Sequence, residues 1–305
     1  MSIEKWLKKN TASLSGKTVA VTGSTGGLGT PLCSYLASLG ASLILVDRNG
    51  SRSEAHANGL REKYGVPVSL IQCDLQSLTS VVSATDELIK AEPDILIHNA
   101  GAYSIPREIC DTGYGNVFQI NFLSPYYMTK ELLPVLRKKK GKVIAVGSIA
   151  HNYSKTDEND IDFVTRKASS RLYGNAKRFL MFSLYSLLEN EKDVSLSVVH
   201  PGITFTNITA HYPKLIFAVI KNPMKIIFMK PKKAALSLLS GVFDTTAANE
   251  WIGPRIFNIW GYPSKKLLKT CKKDESRFIF EQAERACKKM HEEKLTFDRA
   301  CDIII

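Results

Sequence analysis

Residues 17–39 read KTVAVTGSTGGLGTPLCSYLASL. A short apolar run, Thr18 to Val21, is followed at once by Thr22-Gly23-Ser24-Thr25-Gly26-Gly27-Leu28-Gly29. A stretch with helical spacing then carries Leu32, Tyr35, Leu36 and Leu39. A strand that feeds a glycine turn opening a helix is suited to hold phosphate. Glycine lacks Cβ, so the backbone turns tightly and approaches a ligand closely. The helix N-terminus adds unpaired N–H groups and partial positive charge. The spacing, TGxxxGxG, differs from GxGxxG, so the turn gains its meaning from lying between strand and helix.

Outward from that turn, apolar runs alternate with helical patterns. Strands are expected at Ser42–Val46, Pro67–Ile71, Asp94–Ile97, Lys142–Val146 and Val194–Val199. Helices are expected at Ile3–Lys9, Ser51–Tyr64, Leu78–Ala91, about Tyr114–Leu136 and Leu172–Glu189, with Pro134 kinking or stopping the fourth. This alternation predicts an α/β fold, a Rossmann-type doubly wound parallel sheet in a single domain. The strand runs are continuously apolar, as strands covered on both faces are. Ligands of such sheets sit beyond the carboxyl ends of the strands. The polar outliers gather there: the glycine turn, Asp47, Asp74, Asn99, Ser148 and Pro201-Gly202.

The whole chain of 305 residues can bury a sizeable core, and 44% hydrophobic with 23% charged residues is ordinary for a soluble protein. The net charge of +12 directs attention to acidic partners. Six scattered cysteines, with no CxxC pair, read as free thiols of a reducing cytoplasm, with no metal site. The N-terminus is too polar for a signal peptide, and no apolar run reaches the roughly 18 residues of a membrane span. The basic residues lack a reading motif, so no nucleic-acid partner is expected.

Two positions bear on a nucleotide. Asp47, some 20 residues beyond the turn, stands where a carboxylate accepts both hydroxyls of an adenosine ribose. Arg48 follows, and an arginine there can pair with a 2′-phosphate. NAD is the expected cofactor on the strength of Asp47, with NADP left open by Arg48. Tyr173 and Lys177, in YGNAK, are i, i+4 neighbours on one helix face. A phenol with a pKa of about 10 is a poor base. A lysine beside it would lower that value, and the pair could exchange a proton with an alcohol or carbonyl. Ser148 adds a hydroxyl, and Asn121 adds a polar group within an apolar helix. That amide is either satisfied in the core or part of a proton path.

Taken in order, TGxxxGxG, Asp74, Asn99-Ala100-Gly101, Asn121, Ser148, Tyr173-xxx-Lys177 and Pro201-Gly202 with Thr206 resemble the classical short-chain dehydrogenase/reductase family. The resemblance covers about 15–207. It implies a catalytic tetrad of Asn121, Ser148, Tyr173 and Lys177. Tyr173 would be the acid/base and Ser148 would orient the substrate oxygen. Lys177 would lower the tyrosine pKa and hold the nicotinamide ribose, and Asn121 would hold a water of the proton relay. The implied cofactor-binding residues are Thr22, Gly23, Ser24, Thr25, Gly27, Leu28, Gly29, Asp47, Arg48, Asp74, Leu75, Asn99, Ala100, Gly101, Tyr173, Lys177, Pro201, Gly202, Thr204 and Thr206. His98 departs from the usual asparagine. The long gap between Ser148 and Tyr173, with Ser-Ile-Ala-His at Ser148–His151, resembles the retinol dehydrogenase-like branch.

The expected organisation is a dinucleotide-binding and catalytic core (15–202), a helical substrate lid (203–233) and a C-terminal helical extension (265–305). The lid is rich in Ile, Phe, Met and Lys, with six lysines and no acid in 207–233. That composition suits a lipophilic small molecule such as a steroid, retinoid or long-chain alcohol. It also suits peripheral contact of a cytoplasmic protein with acidic lipid. The extension would pack on the domain or on a second subunit of a homo-oligomer. A non-catalytic nucleotide sensor and a lipid-modifying enzyme at a membrane surface are the rival readings.

Overall fold

The first strand, β1 (Thr18–Thr22), and its neighbours β2 (Ser42–Asp47), β3 (Val68–Gln72), β4 (Ile95–His98), β5 (Lys142–Val146) and β6 (Ser195–Val199) lie where the apolar runs place them, within a residue or so at each end. The structure is a computed structural model that describes residues 1–204 and 228–302. Beyond β6 the chain adds α8 (Pro231–Phe243), β7 (Glu250–Ile256) and β8 (Trp260–Leu267). The sheet order is β3-β2-β1-β4-β5-β6-β7-β8. Its pairings are parallel except β7 with β8. The order reverses between β1 and β4, and this opens a crevice beyond their carboxyl ends.

Alternate residues of each strand feed two cores. Leu43 and Leu45 face a core with α1 (Ile3–Asn10), α2 (Gly29–Ser38), α3 (Gly50–Tyr64) and α8. Ile44 and Val46 face the other, with α4 (Leu78–Ala91), α6 (Ser124–Lys139), α7 (Ser169–Leu188) and α9 (Lys273–Asp302). The C-terminal helix buries Ile279, Ala283, Ala286, Cys287 and Met290 in that second core. It therefore packs on its own domain. Among the described residues, five cysteines are free thiols.

Three expectations need correction. The helix expected from Tyr114 begins as α5 (Asn116–Phe118), passes through a π-helical turn (Gln119–Leu123) and continues as α6. Pro134 does not stop it. The ring lies on the exposed side, where water can serve the carbonyl it leaves unpaired, while Leu132, Leu133, Val135 and Leu136 anchor the inner face. Strands β7 and β8 were not expected, because Gly253, Pro254 and Pro263 break their apolar pattern. The two prolines sit opposite each other in register: Pro263 lies on the edge strand β8, which tolerates it, and Pro254 lies on β7 beyond that strand's pairing with β6 at Ile252 and beside a register shift. Residues 265–267 consequently belong to β8, and the extension becomes helical only at Lys273. The expected lid falls largely outside the described residues. Of its ends, Thr204 pairs with Met229, and Pro231–Lys233 opens α8.

Candidate active site

Helix α2 differs from its neighbours at its N-terminus. Helices α1, α3 and α4 are capped by the side chains of Ser2, Asn49 and Ser77. Helix α2 has no side-chain cap and no acid in its first turn. Thr30 N and Leu32 N donate to the carbonyls of Gly26 and Leu28 at 3.0 and 3.1 Å, and Pro31 has no N–H, so the donors offered to a ligand are those of Gly29 and of the glycine turn just before it. This donor set fits the pyrophosphate of a dinucleotide.

The turn is anchored from below. Thr22 Oγ1 accepts from the N–H groups of Asn99 and Ala100, both at 3.1 Å. Asn99 Nδ2 donates to the carbonyls of Thr22 at 3.0 Å and Gly23 at 2.9 Å. These two side chains lock the ends of β1 and β4 together. Asp47, buried at the end of β2, accepts from Ser24 Oγ, from Thr25 N at 3.3 Å and from Thr25 Oγ1 at 3.2 Å. Its carboxylate is thus fastened to the glycine turn. Arg48 is exposed. Arg52, which the sequence did not single out, donates to Thr25 O at 3.2 Å. Asp74 Oδ1 accepts from Gln76 N at 3.0 Å, so one of its oxygens caps its own turn. Leu75 O accepts from Ser124 Oγ at 2.7 Å, tying that strand end to α6. Gly202 has a positive φ of 82° beside Pro201. Thr206 lies outside the described residues.

At the other end of the crevice, Ser148 closes β5 and caps a short 3₁₀ turn (Ile149–Tyr153). Its Oγ accepts from Ala150 N at 3.2 Å. Gly174 explains how Tyr173 comes beside it. A Cβ at Gly174 would stand 2.2 Å from Ala150 O, so only glycine lets α7 press against the 3₁₀ turn. A mid-helix glycine costs about 1 kcal/mol, and that cost was the available signal of close packing in YGNAK. Tyr103 packs edge-on against Tyr173, with ring centroids 5.4 Å apart. It too was missed. Lys177 Nζ lies 5.7 Å from the Tyr173 ring centroid.

Burial pushes the Tyr173 phenol up to about 12, against the opposing pull of its hydrogen bond with Ser148. Burial likewise pushes Lys177 down to about 7. Burial dominates both shifts, and Tyr103 adds to the upward one on the phenol. Asn121 sits in the π-helical turn beside both. A Cβ at Gly101 would stand 2.8 Å from Asn121 Oδ1 and 3.6 Å from Lys177 Nζ, so the three converge. Asn121 Nδ2 donates to the carbonyls of Ala102 and Val117, each at 2.8 Å, and Oδ1 accepts from Ala102 N at 3.2 Å. The amide is thus satisfied within the core, and it clamps 101–102 against the helix.

A family model described as short chain dehydrogenase matches residues 17–214. Retinol dehydrogenase 14 of Mus musculus is 32% identical over 213 residues, 64% of each chain. The chain spans less than two thirds of the length of the first curated relatives it matches, 64% and 62%. Among solved structures, an uncharacterized protein from Mycobacterium paratuberculosis superposes with a TM-score of 0.74 at 23% identity, covering 92% of this chain and 96% of that one. A short-chain dehydrogenase from Sphingobium yanoikuyae in complex with NADPH superposes with a TM-score of 0.59 at 24% identity, covering 74% and 83%. Both likenesses concern the fold.

Proposed function

The chain belongs to the short-chain dehydrogenase family, and from that premise we propose that it interconverts an alcohol and its ketone or aldehyde with a nicotinamide cofactor. The observation that carries the reading is the meeting of Ser148, Tyr173 and Lys177 at the sheet edge whose other end is the uncapped α2. The cofactor supplies or takes the hydride. Ser148 holds the substrate oxygen. Tyr173, with its proton in place, donates it to that oxygen as a carbonyl is reduced, and takes it back in oxidation. Lys177 binds the nicotinamide ribose and, when charged, favours the phenolate. Asn121 holds the 101–102 segment against Lys177 and supports the proton path. A nucleotide sensor would have no use for a buried lysine at this cost. The apolar composition of 203–233 supports a lipophilic substrate: steroid, retinoid or long-chain alcohol. The test is to supply NADH and NADPH in turn with retinal, ketosteroids and aliphatic ketones. Oxidation of the reduced cofactor at 340 nm, dependent on the carbonyl, is the expected result.

For the cofactor we propose NAD. The support is Asp47, a buried acid fastened to the phosphate turn, where a 2′-phosphate would meet its charge. Asp47→Ala should raise the preference for NADPH over NADH by about tenfold or more, through kcat/KM. Equal effects on both cofactors would remove Asp47 from ribose recognition.

Location has its own reading. Among the described residues no helix is long and apolar enough to cross a membrane. The β7–β8 hairpin, however, presents Phe257 at 84% and Ile256 at 49% exposure next to Arg255. Together with the basic, apolar 207–233 stretch, this supports peripheral contact with an acidic bilayer. The full chain should float with vesicles containing phosphatidylserine, and Phe257→Ser should weaken retention several-fold. Equal flotation with neutral vesicles, or none, would contradict it.

A further inference from the structure

The motif Ser-Ile-Ala-His leaves one residue unexplained. His151 lies in the 3₁₀ turn that follows Ser148 and is fully buried. Its Nδ1 is 2.5 Å from the main-chain carbonyl of Ser148, and its Nε2 is 2.7 Å from Thr270 Oγ1. A carbonyl can only accept, so Nδ1 carries the proton. A neutral ring must then accept at Nε2, and the Thr270 hydroxyl is the donor. Burial supports the neutral form by lowering this imidazole to about 4. The ring stands edge-on to Trp251, with centroids 5.5 Å apart.

Arg178 makes the second connection. It follows Lys177 directly on α7 and is buried. Its guanidinium donates to His151 O at 3.3 Å and to Thr270 O at 3.2 Å. It also pairs through two nitrogens with Glu275 of α9, Nε at 2.5 Å from Oε1. Thr156, in the long Ser148–Tyr173 connection, donates to the same Oε1 at 2.6 Å. One guanidinium thus joins the serine loop, the lysine helix and the start of the C-terminal extension.

We propose that the C-terminal extension is a positioning element of the active site: Thr270, through His151, fixes the peptide of Ser148, and Glu275, through Arg178, fixes the turn of α7 that carries Lys177. The inference rests on the reading of Ser148 and Lys177 as catalytic residues. Thr270 and Glu275 touch neither substrate nor cofactor. They act by holding groups whose small displacement is costly, since a 1 Å misplacement can lose about a hundredfold in rate.

The test uses the full chain with Thr270→Val, which keeps the shape and removes the donor, and Thr270→Ser, which keeps the hydroxyl. Two measurements are made: steady-state kinetics on the best carbonyl of the panel, and hydrogen exchange of the peptide spanning 147–153. Thr270→Val should lose about tenfold in kcat with the cofactor KM unchanged, and the 147–153 amides should exchange several-fold faster. Thr270→Ser should restore both. Wild-type kcat and exchange in Thr270→Val would overturn the proposal, as would a loss that Thr270→Ser does not rescue. If the wild-type chain turns over no carbonyl, the functional reading fails by itself. The exchange data then decide alone whether Thr270 holds the serine loop, and unchanged exchange would overturn it.

Discussion

Replacing Tyr173 by phenylalanine is expected to lower turnover by roughly 10³-fold while leaving cofactor affinity within about twofold, because positioned proton transfer contributes on that scale. The ring itself would stay. It packs against Tyr103 at 5.4 Å, and Gly174 rather than the phenol brings α7 onto the 3₁₀ turn. What disappears is the hydroxyl, its hydrogen bond with Ser148 and the proton that burial holds on it up to about 12. The cofactor cradle, at α2 and Asp47, is untouched. Turnover is read at 340 nm, and affinity by quenching of protein fluorescence. A variant with wild-type turnover would remove Tyr173 from the mechanism. A variant that lost cofactor affinity in step with turnover would show a binding role instead.

Lys177→Met should do two opposite things. Turnover should fall on the order of a hundredfold, since the lysine supports the tyrosine and the ribose. Stability should rise. The lysine is buried, and folding lowers its pKa from 10.5 to about 7. Below pH 7 folded and unfolded chains both carry the charge, and folding bears the full desolvation penalty. Between about 7 and 10.5 the unfolded chain holds a proton that the folded chain lacks, so stability from this group rises with pH. Above 10.5 the penalty is gone. Methionine fills a similar volume without charge. The variant should thus gain on the order of 5 kcal/mol in urea unfolding at mildly acid pH, with the gain vanishing towards pH 10.5. A pH-independent difference, or a loss of stability below pH 7, would show that Lys177 is not held as a buried base. The prediction is that this residue is kept against stability, as an active-site group often is.

Local pattern was enough for the sheet and its first helices. Leu78–Ala91 and Lys142–Val146 fall at the residues their apolar spacing marks, because both elements bury a whole face. The same reasoning failed at Pro254 and Pro263, where a register shift and an edge strand accept residues that a regularly paired central strand would refuse. It failed again at Asn121. A π-helical turn leaves the apolar spacing nearly unchanged, so nothing in Phe118–Leu123 announces it. The site divides in a similar way. That Ser148 follows a strand end and that Tyr173 and Lys177 share one turn of a helix was legible, because strand end and i, i+4 spacing are local facts. The burial that raises the Tyr173 phenol was not, since it is set by the surrounding fold. Thr270 meets His151 across 119 residues, and no spacing rule reaches that far.

The central claim is hydride exchange with a carbonyl under the proton control of Tyr173. It is tested most directly with NADH and NADPH carrying deuterium at the transferring C4 position, each supplied with the carbonyl panel, and with mass spectrometry of the alcohol formed. One deuterium should appear on the carbinol carbon of at least one lipophilic product, and the Tyr173→Phe chain should transfer it at background rate. Deuterium transfer at equal rates by both chains, or none from either cofactor once its binding is established, would contradict the account.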